Sequence, residues 1–285
     1  MPQPEEYTLA SVLQRVIGSL RGARFGGRAD GFGSRQRDRS QIQTPVTDQS
    51  WAERPARLMV IVAHPDDADF GVAGTVARWV GEGTVAQLVC CTSGDAGADD
   101  ASIDPLALAA TREAEQRAAA EIVGYEAVTF LHRPDGALAN DLALREQLVR
   151  LIRSFRPDAV MTMDPEVVIL DNRHIQHTDH RQAGMAALDA VYPAARNALA
   201  FPHLALDEGR PPHDVNTLLL FFSHAPTKWV DISDSLETKI SALRAHASQL
   251  RKPAELEDMI RRWAAEDGTR IGRAAAESFR LVTLG

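Results

Sequence analysis

Two short segments, HPDD at residues 64–67 and HTDH at 177–180, gather side chains able to hold a metal ion. His64 and Asp67 stand three positions apart around a stiff proline, a spacing that suits two ligands of a divalent ion such as zinc. Carboxylates there also suit the start of a helix, where the N-terminal dipole favours negative charge. The first motif alone therefore leaves both readings open. The second motif separates them. His177 and His180 sit three residues apart at the head of a helix and can face one side, so one can bind metal while the other reaches the reacting group. Three protein ligands would leave a position open for water, the arrangement of catalytic rather than structural zinc. Zinc lowers the pKa of such a water toward ~7. Asp66, the spare acid of HPDD, can take its remaining proton.

These segments act together only if the fold brings them together. LMVIVA (58–63) is a continuous apolar run, as in a strand covered on both faces of a parallel sheet. Further strands are expected at 84–91, 127–131, 158–163 and 216–222, and helices at 71–82, 106–123, 142–155, 182–191 and 235–250. This alternation predicts a single α/β domain over residues 56–285, with a Rossmann-like, doubly wound, mostly parallel sheet flanked by helices. Ligands of such sheets bind beyond the carboxyl ends of the strands. HPDD follows the first strand, TSGD the second, HRPDG the third and MDP…HTDH the fourth, so all converge on one crevice. HPDD occupies the place of a Gly-rich phosphate turn, and its paired acids would repel phosphates, which argues against a dinucleotide site.

The 285 residues carry a formal net charge of -8, which argues against a nucleic-acid binder. No apolar run is long enough to span a bilayer. Glu5, Glu6 and Arg15 spoil the N-terminus as a secretion signal, so a cytoplasmic location is expected. Cys90 and Cys91 are adjacent and read as two buried free thiols in a reducing compartment. Residues 1–55 read as a flexible extension, with a short amphipathic helix at 7–20 and a Gly-, Arg- and Ser-rich stretch at 21–41.

AHPDD (63–67) and HTDH (177–180, usually HPDH) resemble the two motifs of the PIG-L/LmbE-like zinc deacetylases. The resemblance continues through TSGDAG (92–97), TREAEQRAAAEIVG (111–124), RPDG (133–136), HRQAGMAALDAVYP (180–193), WVDIS (229–233), KISALRAHASQ (239–249) and AAESFR (275–280). It implies zinc ligation by His64, Asp67 and His180, with Asp66 as general base. It also implies that His177 stabilises the oxyanion or protonates the leaving amine, that Asp179 orients it, and that Arg112 and Asp135 contact sugar hydroxyls. The activity implied is removal of an acetyl group from an N-acetylated amino sugar or glycoconjugate of the N-acetylglucosamine type. A mycothiol-type S-conjugate amidase would use the same site, and a non-catalytic sugar- or nucleotide-binding protein would keep only the fold. Such a ligand set also accepts Fe2+, Co2+ or Mn2+, and a homo-oligomer is compatible with it. Two positions depart from the family: Thr178 replaces a proline, and Ile175 stands where some members carry a tyrosine able to assist the oxyanion. Of the other histidines, His132 is expected to line the pocket, His174 to lie in a solvated loop, and His246 to pack the late helix.

Overall fold

The computed structural model describes residue 51 and residues 53–170, 174–250 and 252–285, so the helix expected at 7–20 lies outside the described residues. Strand β1 (Arg57–Val62) is the apolar run of the sequence, and Leu58 to Val62 are each 0% exposed. Burying one such side chain stabilises the fold by roughly 1.5–3 kcal/mol. β1 is thus committed to the centre of a sheet.

β1 pairs in parallel with β2 (Val85–Thr92) on one side and with β4 (Ala159–Met163) on the other. β3 (Ala127–Arg133) extends the sheet beyond β2, and β7 (Thr217–Phe221) extends it beyond β4, again in parallel. β9 (Ala276–Thr283) and β8 (Lys228–Asp231) complete the far edge in antiparallel pairing. The resulting order is β3-β2-β1-β4-β7-β9-β8, the mostly parallel sheet that the alternating pattern predicts. A small antiparallel pair, β5 (Ile169–Leu170) and β6 (His174–Ile175), lies apart from it.

The chain winds outward from β1 through β2 to β3, then returns to β4 on the opposite side. The crevice between the carboxyl ends of β1 and β4 is therefore the topological switch point. Two short helices follow β1, α1 (Asp67–Gly71) and α2 (Ala73–Gly81), where a single helix is expected. α3 (Pro105–Val123) has Asp104 as its N-cap and Gly124 in the left-handed conformation as its stop. α4 (Leu142–Phe155) has the expected bounds and is capped by Asp141. α5 (Thr178–Asp189) starts four residues before the expected helix, because His177 caps it: the Nδ1 atom accepts from the Asp179 N–H. A Cβ on Gly184 of α5 would sit 2.4 Å from the Met163 carbonyl oxygen. Only glycine lets α5 press this closely on the end of β4.

A π-helical turn (Ala190–Ala195) and α6 (Pro202–Leu206) lead to β7. α7 (Leu236–Arg244) ends earlier than expected, and α8 (Pro253–Thr269) is a further helix before β9. Trp51, inside the expected extension, packs its ring 5.6 Å from that of Trp79 on α2. Both cysteines are free and buried, on β2. Among the described residues, no helix is long and apolar enough to cross a membrane.

Candidate metal centre

β1 delivers His64 to the crevice, and the turn that begins α1 delivers Asp67 beside it. The Asp67 carboxylate accepts the His64 backbone N–H at 2.7 Å, which locks the two residues into one unit. The capped start of α5 brings His180 opposite, with its Nε2 3.1 Å from Asp67 Oδ1. His180 Nδ1 lies 3.3 Å from Gln176 Oε1 and can donate to it, so the Nε2 lone pair is free to face Asp67. His64 Nδ1 stands 3.4 Å from Asp67 Oδ2, and His64 Nε2 stands 3.0 Å from Asp135 Oδ1 and 3.4 Å from Asp179 Oδ2.

These atoms are close without bonding. His64 Nε2, Asp67 Oδ1 and His180 Nε2 are buried and have no hydrogen-bond partner. Buried polar atoms normally find partners, so three orphans from three expected ligands mark a candidate place for a cation. The donor set is nitrogen and carboxylate oxygen, as borderline divalent ions prefer. Four acids (Asp66, Asp67, Asp135 and Asp179) surround it, all buried or nearly so. Among the described residues, two groups have ligand atoms all within 4.8 Å: His64 with His177 and His180, and His64 with Asp135 and Asp179. His64 is common to both groups, and Asp67 touches both His64 and His180.

The electrostatics agree with a site built for positive charge. Burial works against a charged His64, yet the carboxylates of Asp135, Asp179 and Asp67 outweigh it and hold its pKa well above the ordinary value. Burial likewise opposes charge on Asp67, and the imidazoles of His180 and His64 overcome it, holding the carboxyl far below the usual range. Asp66 behaves differently. Burial pushes its pKa up to about 6, with Arg112 opposing and Asp67 assisting. A carboxylate tuned toward neutrality is the kind that accepts and returns a proton.

Asp66 also carries backbone strain. It has φ 93° and ψ -30°, a region natural to glycine and costly for other residues by about 1–3 kcal/mol. Its carboxylate lies 3.4 Å from the Arg112 guanidinium. Arg112 is buried on α3 and donates to the Pro65 carbonyl at 2.8 Å and the Gly94 carbonyl at 3.0 Å, tying the loops after β1 and β2 together. Gly94, at φ +70°, makes room for it: a Cβ there would meet the guanidinium at 2.4 Å.

Asp135 and Asp179 hold the near wall. Asp135 accepts the Ala96 N–H at 2.9 Å; burial would raise its pKa, but His64 pulls it down to about 2. Asp179 accepts the Gly136 N–H at 2.7 Å and the Leu138 N–H at 3.3 Å, so its side chain fixes the RPDG loop. Its contact with His177 is made by its backbone, whose N–H donates to His177 Nδ1 at 3.1 Å. This occupies Nδ1 as an acceptor, so a neutral His177 carries its proton on Nε2. Burial, then the charges on His64 and His180, lower the His177 pKa and favour that neutral form. His177 sits at the exposed mouth, its ring centroid 4.8 Å from that of His64.

All eight residues singled out from the sequence therefore lie in or against one crevice. Three others there were given no role from the sequence: Gln176 behind His180, and Asp69 and Gln116 behind Asp66, the last within the resembling segment 111–124. His246 is buried, as a packing residue would be, but its Nε2 lies 2.8 Å from Asp69 Oδ2. His132, one residue before the end of β3, has its Nδ1 3.0 Å from Ser93 Oγ. Ile175 is 76% exposed.

Comparison with known proteins bears on this arrangement. Residues 59–191 match the family described as GlcNAc-PI de-N-acetylase, PIG-L. The chain is 32% identical over 228 residues to a diacetylchitobiose deacetylase of Thermococcus kodakarensis, covering 79% of this chain and 83% of that protein. It is 29% identical over 235 residues to a 1D-myo-inositol 2-acetamido-2-deoxy-alpha-D-glucopyranoside deacetylase of Mycobacteroides abscessus, covering 68% and 81%. The solved structure of N,N'-diacetylchitobiose deacetylase from Pyrococcus horikoshii superposes with a TM-score of 0.74 at 26% identity, covering 98% of this chain and 94% of that one.

Proposed function

The chain belongs to the PIG-L family of de-N-acetylases, and from that premise we propose that it hydrolyses the acetamide of an N-acetylated amino sugar or glycoconjugate, with zinc held by His64, Asp67 and His180. The observation that carries this reading is the coincidence of three orphaned buried ligand atoms with a proton-accepting carboxylate, Asp66, at the switch point of the sheet. The relatives act on N-acetylated glucosamine units in two different contexts, a disaccharide and an inositol glycoside. That shared unit supports an N-acetylglucosamine-type substrate here.

Zinc would supply Lewis-acid polarisation of the acetamide carbonyl and make water acidic enough to lose a proton near neutral pH. The residues of this chain do the rest. Asp66 takes a proton from the attacking water as its oxygen adds to the carbonyl carbon. His177, neutral with its proton on Nε2, donates to the oxygen that gains negative charge. Asp66 then returns the proton to the amide nitrogen as the C–N bond breaks, releasing acetate and a free amine. Arg112 and Asp135 bound the pocket on the side of the β2 and β3 loops, where they act as the substrate contacts of this reading. The same ligand set would bind Fe2+, Co2+ or Mn2+ with related chemistry.

The test is acetate release by the zinc-loaded protein from N,N'-diacetylchitobiose and N-acetylglucosamine glycosides, with a mycothiol-type S-conjugate amide in parallel. Turnover of the sugars supports the proposal. Turnover of the S-conjugate alone would replace the substrate assignment, and no turnover of any would overturn the hydrolase reading.

A further inference from the structure

Asp66 is held where its backbone would not rest unaided, and a buried chain of side chains from three separate elements holds it. Its N–H donates to Oε1 of Gln116 at 2.8 Å. Gln116 lies on α3 and is 0% exposed. Its Nε2 donates to Oδ2 of Asp69 on α1 at 2.9 Å, and His246, just beyond α7, places its Nε2 2.8 Å from that same oxygen. Asp69 is 0% and His246 1% exposed, so water does not substitute for any of these bonds.

The chain has a direction. A carboxylate only accepts, so Asp69 compels Gln116 to turn its NH2 toward it and its carbonyl oxygen toward Asp66. His246 donates to Asp69 from the other side and holds that carboxylate in place. Were the Gln116 amide to flip, an NH2 group would face the Asp66 N–H and the positive-φ turn would lose its acceptor. A shift of about 1 Å in a reacting group can cost on the order of 10²-fold in rate.

We infer that Gln116, oriented by Asp69 and His246, is a positioning residue that sets the backbone of Asp66 and so aims the base. The inference rests on the assignment of Asp66 as base made above. Gln116 touches neither the expected metal ligands nor, on this reading, the substrate.

The experiment is a double-mutant cycle on the zinc-loaded enzyme, with kcat and KM measured for the wild type, Gln116→Leu, Asp66→Ala and the double variant. Gln116→Leu is expected to lower kcat by roughly 10²-fold with KM within about 3-fold. Zinc stoichiometry should be unchanged. In the Asp66→Ala background the same substitution should cost nothing further, because there is no base left to aim. An unchanged kcat in Gln116→Leu, or an equal loss in both backgrounds, overturns the inference. A fully active Asp66→Ala enzyme instead overturns the assignment of the base, a separate failure. Should Gln116→Leu not fold, Asp69→Asn takes its place in the cycle. It is isosteric and frees the Gln116 amide to flip, so a kcat loss of about 10-fold confined to the Asp66 background is expected. His246→Gln, which keeps a donor to Asp69, should hold kcat within about 3-fold of wild type, whereas His246→Leu should not. Equal kcat in these last two variants removes His246 from the chain.

Discussion

Arg153 and the cluster of His64, Asp67 and His180 both put ionisable groups in the interior, and they differ in what those groups are left to bind. Arg153 on α4 is 1% exposed and lies among carbonyls. Its Nε donates to Ala195, its Nη1 to Phe201, and its Nη2 to Ala194, Asn197 and Ala200. Every guanidinium nitrogen is engaged, so the arginine pins the π-helical turn and the loop after it and has nothing left for a ligand. Lys239 and Glu277 follow the same rule: the ammonium bonds the Phe70 carbonyl and Glu277, and Glu277 accepts the N–H groups of Gly74 and Thr75 at the start of α2. At the crevice the bonding is left incomplete on one atom of each expected ligand. Buried charge alone does not mark a site; what sets the crevice apart is that unused ligand atoms of three neighbouring side chains meet there.

The contrast can be broken from either side. The largest effect is expected at the crevice, where Asp66→Ala should lower kcat by about 10³-fold while zinc content stays at the wild-type level. Metal analysis beside steady-state kinetics checks both halves, and near-normal turnover would remove Asp66 from the mechanism. On the other side, Arg153→Met should destabilise the fold by roughly 3 kcal/mol, because several buried carbonyls lose their donor. Denaturant titration measures that loss, and activity per folded molecule should remain that of the wild type. A stable Arg153→Met protein with impaired turnover would reverse the assignment of the two regions.

Zinc itself sharpens the comparison. Added to metal-stripped protein at about a hundredfold excess over Kd, it should raise stability by about 2.7 kcal/mol, read as a rise in Tm. In His180→Ala the rise should vanish, and in Arg153→Met it should persist. The smallest effect belongs to the cysteines. Burial pushes Cys91 up to about 12 and Cys90 well above the ordinary thiol value, so very little thiolate forms near neutral pH. Neither should react with a thiol reagent at pH 8 until denaturant is added; rapid labelling of the native protein would show that the β2 core opens.

How much of this was legible in the sequence depends on how local each cause is. β1 and α4 could be read from their own residues, one from an unbroken apolar run and the other from its Asp141 cap and amphipathic spacing. The start of α5 could not, because histidine is not among the usual cap residues and its role rests on one bond from His177 Nδ1. The antiparallel edge of β8 and β9 was also missed: β8 has four residues, and what holds it is pairing with a strand 45 residues later in the chain. α8 was legible in principle from the proline at its first turn.

The site divides in the same way. HPDD and HTDH announce candidate ligands because metal binding demands particular residue types at short spacing. Gln116 lies in a resembling segment but, like Asp69, announces no role, since an amide within an Ala-rich helix gains its meaning only when α3 is laid against α1. For Arg112 and Asp135 the partners within the chain were not legible: loop carbonyls and Asp66 for the first, and His64 for the second. Their bonds run between loops, and no spacing rule within one segment encodes that.

The central claim is that His64, Asp67 and His180 together hold the metal. An anomalous difference map at the zinc absorption edge, from crystals of the zinc-loaded protein, tests it most directly. The account predicts one strong peak within bonding distance of these three side chains, with Asp66 beside it and outside the ligand set. A peak held instead by Asp135 and Asp179 with His64, and not touched by His180, would contradict it.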